Sequence, residues 1–521
     1  MTIPDAAYGQ AAEPHTIGRW LLGRAAQDPG RIAIDDRGVT VDYRTLARRA
    51  SDLAERLAAA GYGAGHRIAT ISGSSTDHVV AFFACALSGI AFVPLSWRLT
   101  PRELTAALTR TEPALVLVDD EHGALAWEAL RAMDPEPPVA NLGTTGVEAA
   151  APHARSVKPA RPVRDDDPLL VIFTSGSEAE PKGVVLTHAN CFWNNLALAH
   201  SLPVQPDDVV LVVLPQFHVA AWNVQPLLAW WVGAKVVLER SFQPSRVLQL
   251  IEERRVTCMM GVPTQYRMLE ADRDWESADL SSLRTALIGG ATASEALHKA
   301  WRDRGVPLTQ GYGLTEAAPN VLYLPADEVA DHHGAVGRPY PYVEVCIADP
   351  ETGLPLEGEA SGELWVSGPS VFAGYLSDPE ATQRALNGQW LRTGDLVHRD
   401  QDGLFSIVDR LKDIYISGGE NVAPAEVEFA LALHPLVAQV AVVGVPDSVW
   451  GERGVAFVVA TRGAAVSEDE ILAHARRNLA GFKVPVRVVF VSRLPHSATD
   501  KVVKARLRDR AITLMEEAHH D

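Results

Sequence analysis

Five short apolar runs set the main constraint on the fold: Leu115–Val118, Leu169–Phe173, Val209–Leu214, Ala234–Leu238 and Thr285–Ile288. Each is mostly Leu or β-branched and continuous rather than alternating. A strand with one wet face alternates polar and apolar residues, whereas a continuous run belongs to a strand covered on both faces. Helical patterns lie between these runs. Residues 40–61 place Leu46, Ala50, Leu53 and Leu57 at three- and four-residue steps, with Gly61 positioned to end the helix. Thr100 and Glu103, with Pro101 between them, have the form of a capping box. Covered strands separated by helices predict an α/β chain whose large domain is layered around parallel sheet.

A chain of 521 residues is too long for one ordinary core. Residues 135–168 are rich in Pro and Ala with little periodicity, and read as an irregular surface connection. Past residue 410 the pattern changes. Pro424–Leu433 and Ser467–Ala480 read as helices, the second with a Ser467/Glu470 capping box, while Val437–Val443, Val455–Val459 and Val486–Val491 read as strands. The expected division is therefore a large N-terminal α/β domain over 1–410 and a small C-terminal α+β domain over 411–521.

Charge narrows the function. The net charge of −18 argues against nucleic-acid binding, which rests on Lys and Arg against phosphate, and against anionic membrane surfaces. Any phosphate ligand must be held by a local site. Cys85, Cys191, Cys258 and Cys346 are far apart, without zinc spacing, and read as buried thiols in a reducing compartment. No signal peptide and no apolar run of membrane-spanning length is evident, so a cytoplasmic protein is expected.

The strongest local signal is the segment from Phe173 to Val184, TSGSEAEPKG between the two. A buried strand enters a Ser/Thr/Gly loop that ends in Lys182. Such a loop can offer N–H groups, hydroxyls and a cation to a phosphate chain, or can be a polar turn between strands. It is not the GxxxxGK[ST] loop. Further along stand LPQFH (214–218), GGA (289–291), GYGLTE (311–316), GEL (362–364), TGD (393–395), IVDRLKDIYISGGENVAPAEVE (407–428) and LPHSATDK (494–501).

In that order, these eight segments resemble the AMP-binding acyl-activating superfamily of acyl-CoA synthetases, adenylation domains and beetle luciferases. The resemblance spans nearly the whole chain and is closest to acyl- or aryl-CoA ligases. It implies two half-reactions: a carboxylic acid attacks ATP to give acyl-AMP and pyrophosphate, and the acyl group then passes to the thiol of CoA. By that resemblance Thr174, Ser175, Gly176, Ser177 and Lys182 hold phosphates, Thr315 contacts the α-phosphate and Glu316 helps to bind Mg²⁺. Gly289, Gly290 and Ala291 accommodate adenine, on which Tyr312 stacks. Asp395 takes the ribose hydroxyls, and Arg410 reaches the nucleotide. Lys501 bridges the carboxylate and phosphate during adenylation, because two anions must meet and positive charge is needed where negative charge develops.

The resemblance further implies that the small domain turns about Lys412, replacing Lys501 with a face carrying Gly418, Gly419 and Asn421 along the pantetheine path. His218 stands between acyl pocket and thiol tunnel. Trp222, Asn223 and Gly313 help to shape the acid site, although a large aromatic such as Trp222 equally suits a core. ATP, Mg²⁺ and CoA are the expected cofactor and cosubstrates; an acyl carrier protein is the alternative thiol source. A homodimer is compatible with the resemblance. Three residues depart from the pattern: Glu178 and Ala179 in the phosphate loop, and Asp500 beside Lys501. They are the support for a third reading, a non-catalytic nucleotide-binding relic.

Overall fold

The computed structural model describes residues 15–143, 146–147, 161–174, 182–291, 293–417, 420–447, 450–461, 463, 466–496 and 502–518. Contacts divide the chain into two units, Met1–Val345 with Val366–Leu391, and Cys346–Trp365 with Arg392–Asp521. The second unit thus takes in more than the expected residues 411–521.

The first unit contains two sheets. In one, the strands Arg67–Ile71, Ala91–Leu95, Leu115–Val118 and Pro168–Thr174 run parallel, with Lys182–Thr187 and Gly374–Tyr375 added antiparallel at one edge. Ile71, Val93, Val116 and Val171 pack beneath the helices Pro101–Thr111 and Gly123–Leu130. In the other sheet Val209–Val212, Lys235–Leu238, Cys258–Gly261, Thr285–Ile288 and Leu308–Gly313 run parallel, and Asn320–Leu324 returns antiparallel. All five apolar runs are strands with wholly or largely buried faces, as their continuity requires.

The helix Tyr43–Ala59 presents Leu46, Ala50, Leu53 and Leu57 to the core, and Asp42 caps it through the Thr45 N–H. The Thr100/Glu103 capping box forms in both directions. The connection 135–168 is not wholly irregular. Val139–Gly143 forms a strand parallel to Leu115–Val118, because sheet hydrogen bonding was available there despite the preceding prolines. All four cysteines are free, and Cys85, Cys191 and Cys258 are buried. Among the described residues no helix is long and apolar enough to cross a membrane.

In the second unit Val437–Asp447 and Gly451–Ala460 form a long antiparallel pair, with Arg487–Phe490 parallel to the latter. One face packs on the helices Pro424–Ala432 and Glu468–Asn478, the other on Lys504–Ala518. Ser467 accepts from the Glu470 N–H. Gly444 and Gly454 are dictated by Tyr415: a Cβ at either would lie 2.3 Å from its atoms.

Candidate active site

Thr174 ends one strand and Lys182 begins the next, and the two residues face each other in register. Ser175, Gly176 and Ser177, with Glu178 and Ala179, lie between them and outside the described residues. Gly183 packs closely, an added Cβ meeting Leu376 and Val171 at 3.2 Å, and its carbonyl accepts the Leu376 N–H at 2.7 Å. These contacts bring Tyr375 beside Lys182, whose Nζ lies 5.5 Å from the centre of the tyrosine ring.

Glu316 arrives from the other sheet. Its chain leaves the strand Leu308–Gly313, turns through Thr315–Ala317, and reverses at Ala318, which has φ 66°. Only glycine serves at position 313, because a Cβ there would lie 1.6 Å from the Pro319 carbonyl oxygen. The Glu316 carbonyl accepts the Phe372 N–H at 2.8 Å, and its carboxylate Oε1 accepts the Tyr375 hydroxyl at 2.9 Å. Tyr375 thus joins the two halves of the site. Glu316 Oε2 has no protein partner among the described residues. One half-exposed carboxylate with a spare oxygen suits Mg²⁺, which keeps waters and substrate phosphates as its other ligands.

Gly289, Gly290 and Ala291 follow the strand Thr285–Ile288, beside Gly311 and Tyr312 on the neighbouring parallel strand. A Cβ at Gly289 would come to 3.0 Å from the Gly311 carbonyl oxygen, and Gly290 has φ 80°. Gly290 and Ala291 are exposed, Tyr312 and Thr315 half-buried. These segments leave the carboxyl ends of parallel strands, the usual place for ligands in α/β sheets.

His218 is half-buried at a tight turn, its N–H donating to the Pro215 carbonyl at 3.0 Å and its ring 4.6 Å from Phe217. Below it, Gln216 is tied to the core. His78 Nδ1 donates to Gln216 Oε1 at 3.0 Å, while His78 Nε2 accepts the Thr70 hydroxyl at 2.8 Å. Burial pushes the His78 imidazole down to about 4, so it is neutral at pH 7. Trp222 and Asn223, expected to shape the acid site, are fully buried. Trp222 stacks on Phe82 at 4.5 Å and donates to the Gln216 carbonyl at 2.7 Å; Asn223 bonds to Asn195 and Cys191. Both side chains are enclosed by other residues of the core. Gly313 is exposed.

In the second unit Asp395 and Arg410 are register partners on antiparallel strands, with Asp395 Oδ1 2.5 Å from Arg410 Nε. The turn before Asp395 is held by Glu363, a residue to which sequence reasoning gave no role. Buried Glu363 accepts from Arg392 at 3.2 Å, the Trp365 indole at 2.8 Å and the Gly394 N–H at 3.1 Å. Asp409 accepts the Arg410 N–H and the Ala425 N–H, each at 2.7 Å, anchoring the residues just before Lys412. Burial lowers the Lys412 ammonium from its ordinary value, against the pull of Asp413. The backbone of Asn421 pairs with Ile416. Gly418, Gly419, Asp500 and Lys501 lie outside the described residues.

A separate group, Asp119, Glu121 and His122, brings three ligand atoms within 4.8 Å of one another. Its members already have partners: Asp119 accepts from Gly73 and His122, and Glu121 pairs with Arg240.

The family model for AMP-binding enzymes matches residues 22–376, and that for the AMP-binding enzyme C-terminal domain matches residues 426–501. A feruloyl-CoA synthase of Amycolatopsis sp is 40% identical, across 95% of this chain and 99% of its own. An indoleacetate–CoA ligase of Aromatoleum aromaticum is 35% identical, across 94% and 97%. Among solved structures, the O-succinylbenzoate coenzyme A synthetase of Bacillus subtilis in complex with ATP and magnesium ion superposes with a TM-score of 0.84 at 30% identity, covering 94% of this chain and 99% of that one.

Proposed function

This chain belongs to the AMP-binding enzyme family and is an AMP-forming acid–thiol ligase, and on that premise we propose that its acid carries an aromatic ring. The observation behind this reading is the 40% identity to a feruloyl-CoA synthase along 95% of the chain. The acids named for the indoleacetate ligase and the succinylbenzoate synthetase are aromatic too.

The enzyme joins the acid to AMP with release of pyrophosphate, then forms the CoA thioester. In the first step a carboxylate oxygen bonds to the α-phosphorus as the bond to the β-phosphate breaks. We assign Thr174, Ser175, Gly176, Ser177 and Lys182 to the phosphates, and Thr315 to the α-phosphate. Glu316 would hold Mg²⁺, which neutralises charge on the departing pyrophosphate. Gly289–Ala291 and Tyr312 would receive adenine. Asp395 would take the ribose hydroxyls, with Arg410 orienting its carboxylate; their 2.5 Å pairing supports that role. Lys501 would bring positive charge to the attacking carboxylate. In the second step the thiol sulfur bonds to the acyl carbon and AMP leaves. His218, with Gly418, Gly419 and Asn421 after a turn about Lys412, would border the thiol path. The anchoring of Asp409 and Arg410 supports a pivot immediately after them. Free CoA is the proposed acceptor.

Pyrophosphate release with a panel of hydroxycinnamic, indole-acetic, benzoic and fatty acids, with and without CoA, tests this. Release and a CoA thioester with aryl acids alone support it. Equal or greater turnover of fatty acids would overturn the aryl assignment. Release without a thioester would redirect the search to a carrier-protein acceptor.

A further inference from the structure

Lys182 and Glu316 carry opposite charges into one phosphate-binding site. Left to themselves, a Lys and a Glu in a partly buried cleft attract strongly. Both meet one side chain, Tyr375: the ammonium lies 5.5 Å from its ring centre, and the carboxylate accepts its hydroxyl at 2.9 Å. The ring face suits a cation and the hydroxyl donates to an anion.

Tyr375 is itself firmly held. Its N–H donates to Thr382 Oγ1 at 2.9 Å, and that hydroxyl donates to the Asp378 carbonyl at 2.8 Å. Asp378 pairs with Arg110 at 3.4 Å. Gly374 has φ 134° and abuts the Thr382 side chain, where a Cβ would lie 2.9 Å from Cγ2. Tyr375 also pairs with Val184 in the sheet edge. Glu316, by contrast, stands on a single turn of three residues. The constraint therefore runs from Tyr375 to Glu316.

We propose that Tyr375 is a positioning residue for adenylation: its hydroxyl fixes Glu316 Oε1 and leaves Oε2 free to meet the metal of a metal–ATP complex. This rests on the reading of Glu316 as a metal contact and Lys182 as a phosphate contact. Residues that orient a metal ligand typically contribute about 10- to 100-fold in metal affinity.

The test is calorimetric binding of ATP to the full chain, with acid omitted, in Mn²⁺ and in EDTA. Tyr375→Phe keeps the ring and removes the hydroxyl, so the Mn²⁺ enhancement of ATP affinity should fall about tenfold while affinity in EDTA stays at the wild-type value. Tyr375→Leu removes the hydroxyl together with the ring, so the Mn²⁺ enhancement should fall at least as far as in Tyr375→Phe. Glu316→Gln is the control for the underlying assignment and should reduce the Mn²⁺ enhancement at least as far as Tyr375→Phe. If Glu316→Gln does so and Tyr375→Phe behaves as wild type, the positioning role is overturned and the metal assignment stands. If Glu316→Gln leaves the enhancement unchanged, the metal assignment falls and this inference falls with it.

Discussion

Glu428 and Lys504 form an ion pair at 2.9 Å that ties the helix Pro424–Ala432 to the start of the helix Lys504–Ala518. The carboxylate also accepts the Val442 N–H at 2.7 Å. Burial alone would lower the Lys504 ammonium, but Glu428 and Asp409 outweigh it and hold the group above its ordinary value. Breaking a largely buried pair leaves a charge stranded, which costs up to about 3 kcal/mol, whereas replacing both partners by apolar groups is often neutral. Lys504→Met should therefore lower the melting temperature of the full chain, and Glu428→Leu with Lys504→Met should recover most of the loss. A double variant as unstable as the sum of its singles would show that the two side chains act independently.

Gly313→Ala should disable the adenylation site. The added Cβ would sit 1.6 Å from the Pro319 oxygen, so the Thr315–Glu316 turn must move. A displacement of about 1 Å at a reacting group can cost on the order of 100-fold in rate. Pyrophosphate exchange should fall at least that far, while far-ultraviolet circular dichroism stays native. Wild-type exchange in this variant would mean that the turn tolerates displacement.

How far the site was legible follows from where its contacts lie in the sequence. The strand Leu115–Val118 was visible because double-sided burial writes itself as an unbroken apolar run. Thr174, Lys182, Thr315 and Glu316 stand out in the sequence through their motifs, and the structure pairs Thr174 with Lys182 and links Glu316 to Tyr375. Tyr375 was not, because its contact with Glu316 joins residues 59 apart and a tyrosine in a Gly-Tyr-Leu run has no distinguishing chemistry. Glu363 stands in the GEL segment, but its contact was not legible, since the Gly394 N–H it holds lies 31 residues away. Trp222 was left open for a different reason: a large aromatic suits a pocket wall and a core equally, and the structure has it buried and stacked on Phe82. The strand Val139–Gly143 was obscured by neighbouring prolines, which exclude helix but leave extended backbone free to pair.

The pH dependence of stability should carry the signature of His78. Burial lowers its value from 6.5 to about 4. Between those values the unfolded chain binds the proton and the folded chain does not, so stability is complete above about pH 6.5 and falls as pH approaches 4. The linked loss is on the order of 3 kcal/mol. His188, lowered to about 4 by the same cause, adds to it. His78→Gln removes the titration. Its stability, read from urea midpoints, should change less steeply between pH 6.5 and 4 than that of the wild type; an unchanged slope would place the acid sensitivity elsewhere.

In the proposed cycle Lys501 serves adenylation and not thiol transfer. Adenylation brings a carboxylate to a polyphosphate, and a cation placed where charge develops is worth about 10²- to 10³-fold in rate. Thiol attack on an acyl adenylate involves no such meeting of two anions, and in the proposed cycle Lys501 has by then been exchanged for the face bearing Gly418 and Gly419. Lys501→Ala should therefore lower pyrophosphate release by at least 100-fold, yet make CoA thioester from supplied acyl-AMP at close to the wild-type rate. Gly419→Trp should do the reverse, retaining pyrophosphate exchange and slowing thioester formation, because its side chain would stand in the pantetheine path. Equal loss of both steps in Lys501→Ala would mean that the lysine serves the fold or the nucleotide site as a whole. Unimpaired thioester formation in Gly419→Trp would move the thiol path to another face. Run together, the two variants test whether one site performs two reactions by exchanging the surface that closes it.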